Sequence, residues 1–300
     1  MSNKVAVLVD SACSFTEKFL NDNNAYVLPL SLSDSHNKLY DDDGVQITSK
    51  ILFDEIAAGN EFKSSSTALG AISEKITELL KTHDTVVFFP VSYGLSTQYQ
   101  SAKILEDDFD GKFIIVKTVC AAFETMWMVQ EFTKQLADGI EVKEAIKIVE
   151  AQQKKMATFF SLDDVGGLVK GGRVTGAIVK VFKLLKLKPI VQTEVKNHFA
   201  GMGKNFEMNT TKILNRIKKL FSAHKLDKSN ILHFGVLDGG ISAAQIETMK
   251  KKAENIFNID YDLIDVKPVP TCVLCHTRKG SYGYAIEANF EHENSKWKDD

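Results

Sequence analysis

The chain reads as two α/β domains, the N-terminal one built on a mostly parallel sheet. Three features point there. Short apolar runs alternate with amphipathic stretches through the first half. A glycine-rich break spans 163–176, after which the alternation restarts. The length of 300 residues exceeds what one ordinary domain needs. The expected division is an N-terminal domain at 1–158 and a C-terminal one at 159–300, with 290–300 a polar, frayed tail.

The elements follow in order. Residues 5–9 are a continuous apolar run and predict a buried strand. Ser14 and Glu17 have capping-box spacing for a short helix to about Asn23. A second strand is expected over 26–32. The stretch 37–48, with Asp41-Asp42-Asp43-Gly44, reads as a hairpin or surface loop. Ser49 can cap a helix to about Ala58. Residues 69–81 carry Ile72, Ile76, Leu79 and Leu80 on one helical face. A buried strand follows at 86–90, a helix at 97–105 and another strand at 113–116. Long helices are expected at 123–136 and 142–158, separated by Asp138-Gly139.

The second half predicts strands at 189–193 and 195–199, a helix at 210–223, a strand at 231–236 and a helix at 242–257. Strands at 261–266 and 269–274 complete it. Ligands on parallel sheets collect beyond the carboxyl ends of the strands, so the loops after Val9, Pro90 and Val116 are the first places to search.

Composition excludes several classes. With 44% hydrophobic and 25% charged residues, the chain is neither disordered nor fibrous. A net charge of −2 gives no general drive toward nucleic acid, and none is expected as a partner. Four cysteines are too few for a disulfide-stapled scaffold and fit a reducing compartment. The first apolar run ends at Asp10, too soon for a signal-peptide core, and no run reaches the ~18 apolar residues of a membrane span. A cytoplasmic protein is expected.

Several motifs could carry chemistry. Ser64-Ser65-Ser66-Thr67 precedes the helix starting near Leu69. Such hydroxyls beside a helix start can hold a carboxylate or phosphate, although Ser66 or Thr67 can equally act as a plain cap. Ser92-Tyr93-Gly94-Leu95-Ser96-Thr97 repeats the device after a buried strand. Lys170-Gly171-Gly172-Arg173 is a paired-glycine turn whose arginine offers a planar fork to an anion, or simply a surface turn. Dinucleotide and Walker fingerprints are absent.

Cys272-x-x-Cys275-His276 lacks the fourth ligand of a structural zinc site, and no metal is expected. It falls in an expected strand, whereas a redox pair opens a helix, and His276 would end that strand. Gly240-Ile241-Ser242 approaches a nucleophile elbow, but Ser242 and Gln245 have capping-box spacing. Residues 176–187 would form an amphipathic helix with Ile178, Val181, Phe182 and Leu185 on one face and Lys180, Lys183 and Lys186 elsewhere. It is either a core helix with a solvated basic face or a transient membrane contact.

The order of these motifs resembles the DegV family. Asp10-Ser11 comes first, then Phe62-Lys63-Ser64-Ser65-Ser66, then Leu95-Ser96-x-x-Tyr99-Gln100-Ser101-Ala102. Lys170-Gly171-Gly172-Arg173, Leu187-Lys188-Pro189-Ile190 and Cys275-His276-Thr277 follow. The resemblance runs from Val5 to about Phe290. It implies two α/β domains with a fatty acid between or beneath them, and no other cofactor. FakB-like members of the family carry a free fatty acid to a separate kinase, which phosphorylates its carboxylate for phospholipid synthesis. Carried over by motif, the headgroup contacts are Ser64, Ser65, Ser92, Arg173 and His276.

The sequence also departs from the family pattern. Ser66-Thr67-Ala68 stands for Gln-Pro-Ser, Tyr93 for a serine, and Leu95-Ser96-Thr97-Gln98 for Leu-Ser-Gly-Thr. Thr118-Val119 replaces an Asp-Ser pair, and Arg278 and Lys279 replace the glycine and proline after the histidine. The resemblance nevertheless implies a lipid-binding carrier without turnover of its own. The alternatives are a hydrolase or transferase using the hydroxyl loops, or a purely regulatory interaction protein.

Overall fold

The computed structural model describes residues 4–172 and 187–289. The chain packs as two units. One comprises Met1–Gln153 with Pro270–Cys272, the other Lys154–Val269 with Val273–Asp300. Arg173, most of the 176–187 span and the 290–300 tail lie outside the described residues.

The first unit contains, in chain order, β1 (Val5–Asp10), α1 (Glu17–Asp22), β2 (Ala25–Leu28), β3 (Ser31–Ser33), β4 (Leu39–Asp41), α2 (Ser49–Ala57) and β5 (Lys63–Ser65). There follow α3 (Leu69–Leu79), β6 (Thr85–Phe89), α4 (Gln98–Lys103), β7 (Phe113–Ile115), α5 (Phe123–Ala137) and α6 (Val142–Gln152). Its main sheet has the order β2-β1-β6-β7, with every pairing parallel. This is the mostly parallel α/β sheet that the sequence predicts. All five residues of β6 are buried, which is why the run shows no alternation. Ile72, Ile76 and Leu79 of α3 pack with Leu8, Val86, Phe88 and Phe113. Phe132 of α5 meets Phe89 at a ring separation of 5.3 Å.

Several expectations for this unit are corrected. The strand expected over 26–32 is broken at Pro29, which has no N–H to continue a ladder. β2 stays in the parallel sheet, while β3 joins a small antiparallel sheet, β4-β3-β5. The cap of α1 is Thr16, whose hydroxyl accepts the Phe19 N–H, not Ser14. Thr48, not Ser49, caps α2 through the Ile51 N–H.

The second unit contains β8 (Met156–Ser161), α7 (Gly166–Lys170), β9 (Lys188–Thr193), β10 (Asn197–Gly203), α8 (Phe206–Ala223), β11 (Ile231–Gly239) and α9 (Ala243–Phe257). β12 (Ile264–Pro268), α10 (Thr271–Thr277) and β13 (Ser281–Ala288) complete it, with α10 beginning in the first unit's Pro270–Cys272 segment. Its six-stranded sheet runs β10-β9-β8-β13-β11-β12 and is antiparallel except for the parallel β11–β12 pair. The central strand β13 is buried along all eight residues. Ile213, Leu214 and Ile217 of α8 and Met249 and Ala253 of α9 share one core with β13. Tyr284 is buried there, and its hydroxyl donates to the Met249 carbonyl at 2.8 Å.

Here too tertiary context overrides local pattern. The helix expected over 142–158 stops at Gln152, because residues 156–161 form a wholly buried strand between β9 and β13. Residues 261–263 are a 3₁₀ turn, and the strand starts at Ile264. The strand expected over 269–274 is instead the helix α10. The Cys272 N–H, in its first turn, donates to Asp42 Oδ2 at 3.1 Å. That cap comes from 230 residues away, so no local signal could announce it.

The two units differ sharply in charge. The first carries 13 Lys and Arg against 23 Asp and Glu, a formal −10. The second carries 24 against 16, a formal +8, and holds all three arginines of the chain, Arg173, Arg216 and Arg278. Cationic forks for an anionic ligand can come from the second unit alone. Among the described residues, no helix is long and apolar enough to cross a membrane.

Candidate functional site

In the parallel sheet, the chain leaves β1 toward β2 on one side and returns to β6 on the other. The crevice beyond the carboxyl ends of β1 and β6 is therefore the topological switch point, where such folds place ligands. Asp10 closes it. Its Oδ2 accepts the Val91 N–H at 2.7 Å, and its Oδ1 accepts the Ala12 N–H at 3.1 Å. Burial pushes the Asp10 carboxyl up to about 7; the two N–H bonds oppose the rise and the Asp42 charge adds to it.

Asp42 is also raised by burial, against hydrogen bonds from Ser11 and from the thiol and N–H of Cys272. Ser11 Oγ in turn accepts the Leu30 N–H at 3.1 Å. Burial and the Asp10 charge push the Cys13 thiol up. Two buried carboxyls thus tie together the ends of β1, β2 and β6 and the start of α10.

The hydroxyl loops stand around this crevice in the same unit. Ser92 is fully buried. Its N–H donates to the Cys120 carbonyl at 2.8 Å, its Oγ accepts the Gly94 N–H at 3.3 Å, and its carbonyl accepts the N–H groups of Leu95 and Ser96. The Tyr93 N–H donates to the Thr118 carbonyl, and the Thr118 hydroxyl donates to the Pro90 carbonyl. The loops after β6 and β7 are thereby zipped to each other. Ser64 and Ser65 lie on β5, opposite Leu32 and Ser31 of β3, with Ser64 half-buried and Ser65 exposed.

The contacts that join the two hydroxyl loops are made by neighbours of the predicted serines. The hydroxyls of Thr97 and Ser101 lie 3.3 and 3.4 Å from Ser66 Oγ. The Thr67 N–H donates to Gln98 Oε1 at 2.9 Å, and Gln98 Nε2 donates back to Thr67 Oγ1 at 3.1 Å. Thr67 also donates its hydroxyl to the Pro29 carbonyl at 2.7 Å. Neither Ser66 nor Thr67 is the cap of α3; that position is Ala68, which makes no side-chain cap bond.

Sequence reasoning missed Gln98, which is fully buried. A signal was present. Thr67 and Gln98 are two of the positions where the sequence departs from the family pattern, and they are hydrogen-bonded partners.

In the second unit, His276 sits in the last turn of α10 rather than at a strand end. Cys272 and Cys275 are likewise in this helix, both buried, which corrects their placement within a strand. Among the described residues no cluster of His, Cys, Asp and Glu could hold a metal ion.

α10 lies directly on α7. A methyl group at Gly171 would sit 2.5 Å from His276 Nδ1; one at Gly167 would sit 2.4 Å from the His276 carbonyl oxygen and 2.9 Å from Arg278 Nε. Gly167 and Gly171 are four apart and share a helical face. Only the absence of side chains on that face lets the imidazole and guanidinium approach so closely. The predicted Lys170-Gly171-Gly172 turn is the end of α7, with Gly172 at φ +73°.

Residues 4–289 match the family model described as "Uncharacterised protein, DegV family". A DegV domain-containing protein of Ureaplasma parvum is 28% identical over 298 residues, covering 99% of this chain and all of its own length. Among solved structures, a DegV family protein from Thermus thermophilus, described by its fatty acid binding, aligns with a TM-score of 0.81. It is 21% identical and covers 95% of this chain and 99% of its own. A stearic acid-binding protein from Eubacterium ventriosum aligns with a TM-score of 0.83 at 20% identity, covering 95% and 98%. At such identities these two structures establish a shared fold.

Proposed function

The chain belongs to the DegV family, and on that premise we propose that it binds a long-chain fatty acid as a carrier rather than an enzyme. Ser64, Ser65, Ser92, Arg173 and His276 contact the carboxylate, and the loaded protein presents that carboxylate to a separate fatty-acid kinase. The observation that carries the reading is the family match across nearly the whole chain, together with the fatty acids named for proteins of the same fold.

The energetics are compatible. Burying ~15 methylenes contributes up to ~12 kcal/mol before ordering is counted. The carboxylate must then be met by donors, or its desolvation offsets several kcal/mol of that gain. Uncharged hydroxyls and cationic side chains are suitable donors. Ser242, the nucleophile an enzyme reading would use, is engaged in a capping box with Gln245, which explains the residue without chemistry. The span 176–187 supplies the contact with an anionic membrane surface from which the acid is collected.

Mass spectrometry of the purified protein under native conditions tests the reading. A co-purifying acyl carboxylic acid is expected. Its repeated absence after heterologous expression would overturn the carrier assignment. Acyl phosphate formed only when loaded protein, ATP and a fatty-acid kinase are combined would support the kinase step.

A further inference from the structure

We infer that Asp42 is a positioning residue for the headgroup site, fixing through α10 the place at which His276 meets the ligand's carboxylate; this rests on the fatty-acid reading above. α10 has little reason to be a helix on its own. It is 7 residues long, about half the length at which an isolated helix becomes even marginal in water. Only Leu274 among them is a strong helix former; Thr271, Cys272, Val273, Cys275, His276 and Thr277 all have weak propensity. Local preference alone favours the extended strand expected from the sequence. What holds the first turn is Asp42. Its Oδ2 accepts the Cys272 N–H at 3.1 Å, and the Cys272 thiol is a second donor to the same carboxyl.

The helical state matters because His276 lies four residues beyond Cys272. Four residues advance about 6 Å in a helix and about 13 Å in an extended strand, so unwinding would carry the imidazole about 7 Å from its place. That place is narrow. A methyl group at Gly171 would lie 2.5 Å from His276 Nδ1, so the ring is seated against the bare backbone of α7. Asp42, at the other end, is itself fixed. It is 6% exposed, directly follows β4, and donates its N–H to the Leu30 carbonyl at 2.8 Å. Ser11, a further donor to its carboxyl, accepts the Leu30 N–H at 3.1 Å. A serine or asparagine just before α10 would cap the first turn without burying a carboxyl. Such a local cap stabilises a helix wherever the helix goes. A cap fixed at the end of another strand also decides where it goes, and with it where His276 stands.

The test measures binding of palmitate and of methyl palmitate, delivered from cyclodextrin, to the delipidated full-length protein and its variants. The parent should bind the acid more tightly than the ester, and His276→Ala should lose acid affinity by about 10-fold. Asp42→Glu keeps the charge but reaches one methylene further. It should weaken acid binding by about 3- to 10-fold and leave the ester unchanged. Asp42→Asn keeps an acceptor in place without the charge and should bind the acid within about twofold of the parent. In the His276→Ala background Asp42→Glu should lose no further acid affinity, because its effect passes through the imidazole. If Asp42→Glu does not fold, Asp42→Ser, which withdraws the acceptor instead of advancing it, takes its place with the same expectations. Undiminished acid binding in the displaced-acceptor variant, an equal loss of acid and ester, or a loss that persists without His276 would each overturn the positioning role and leave the carrier reading intact. A loss in Asp42→Asn as large as in Asp42→Glu would make charge rather than position decisive and overturn it as well. Acid binding unchanged in His276→Ala would remove His276 from the site, and the inference with it. A parent that binds neither lipid would refute the carrier reading itself.

Discussion

Asp10→Asn should flatten the pH dependence of the first unit's stability. The carboxyl has an ordinary value of 3.8 and is raised to about 7 in the folded protein, chiefly by burial. Between those values the folded state holds a proton that the unfolded chain has released. Stability therefore falls as pH rises through this window, with no penalty below the lower value and the full penalty above the upper one. A separation of about three pH units corresponds to about 4 kcal/mol.

Asparagine cannot ionise and so lacks this loss. It carries one carbonyl oxygen where the carboxyl accepts two N–H groups, from Val91 and Ala12. One buried N–H is left unsatisfied at every pH, costing about 1–3 kcal/mol. The variant should thus be the less stable protein near pH 4, where the parent still carries little penalty, and should equal or overtake the parent near pH 8. Asp42, raised in the same direction, leaves both proteins a residual slope. Urea unfolding at a series of pH values checks this, followed by the fluorescence of Trp127. That residue is buried in α5 of the first unit. Trp297→Phe in both proteins makes it the sole tryptophan. Parallel stability curves for parent and variant would refute the reasoning, because they would mean that Asp10 takes up no proton on folding.

Gln98→Leu leaves the Thr67 N–H without its acceptor and should destabilise the first unit by about 1–3 kcal/mol. In a double-mutant cycle with Thr67→Val, a coupling of about 0.5–3 kcal/mol is expected, and strict additivity would show that the loops are not joined through this pair. Gly203→Ala would place its methyl 2.0 Å from Asn209 Oδ1. Asn209 cannot yield, since its Nδ2 donates to Ser161 Oγ at 2.7 Å and to the Lys188 carbonyl at 3.0 Å. A loss of about 1–3 kcal/mol is expected, and an unchanged melting temperature would contradict that packing. Replacing Lys180, Lys183 and Lys186 by glutamine should reduce sedimentation with anionic vesicles at low salt, by on the order of 1 kcal/mol per lysine. Sedimentation equal to the parent's would remove the membrane role of that span.

Burial was legible along the chain. Residues 5–9 and 86–90 are apolar without alternation because helices cover both faces of a parallel sheet, and that condition leaves its mark on every residue of the strand. The stripe Ile72, Ile76 and Leu79 recorded in the same way which face of α3 is covered. Asp10 and Ser92 fall at or just beyond strand ends as expected, because strand ends are set by where apolar runs stop. Partnership was not legible. Pro29 divides one apolar stretch between two sheets, and residues 156–158, expected to end a helix, open a strand claimed by its neighbours. The helix α10, read as a strand, owes its first-turn cap to Asp42. The room for His276 and Arg278 depends on glycines more than 100 residues earlier. A side chain's own pattern reports how much water it avoids. Which distant donor, acceptor or bare backbone meets it is decided only when the chain closes on itself, since hydrogen bonds and close approaches depend on ångström-scale geometry between segments with no sequence proximity.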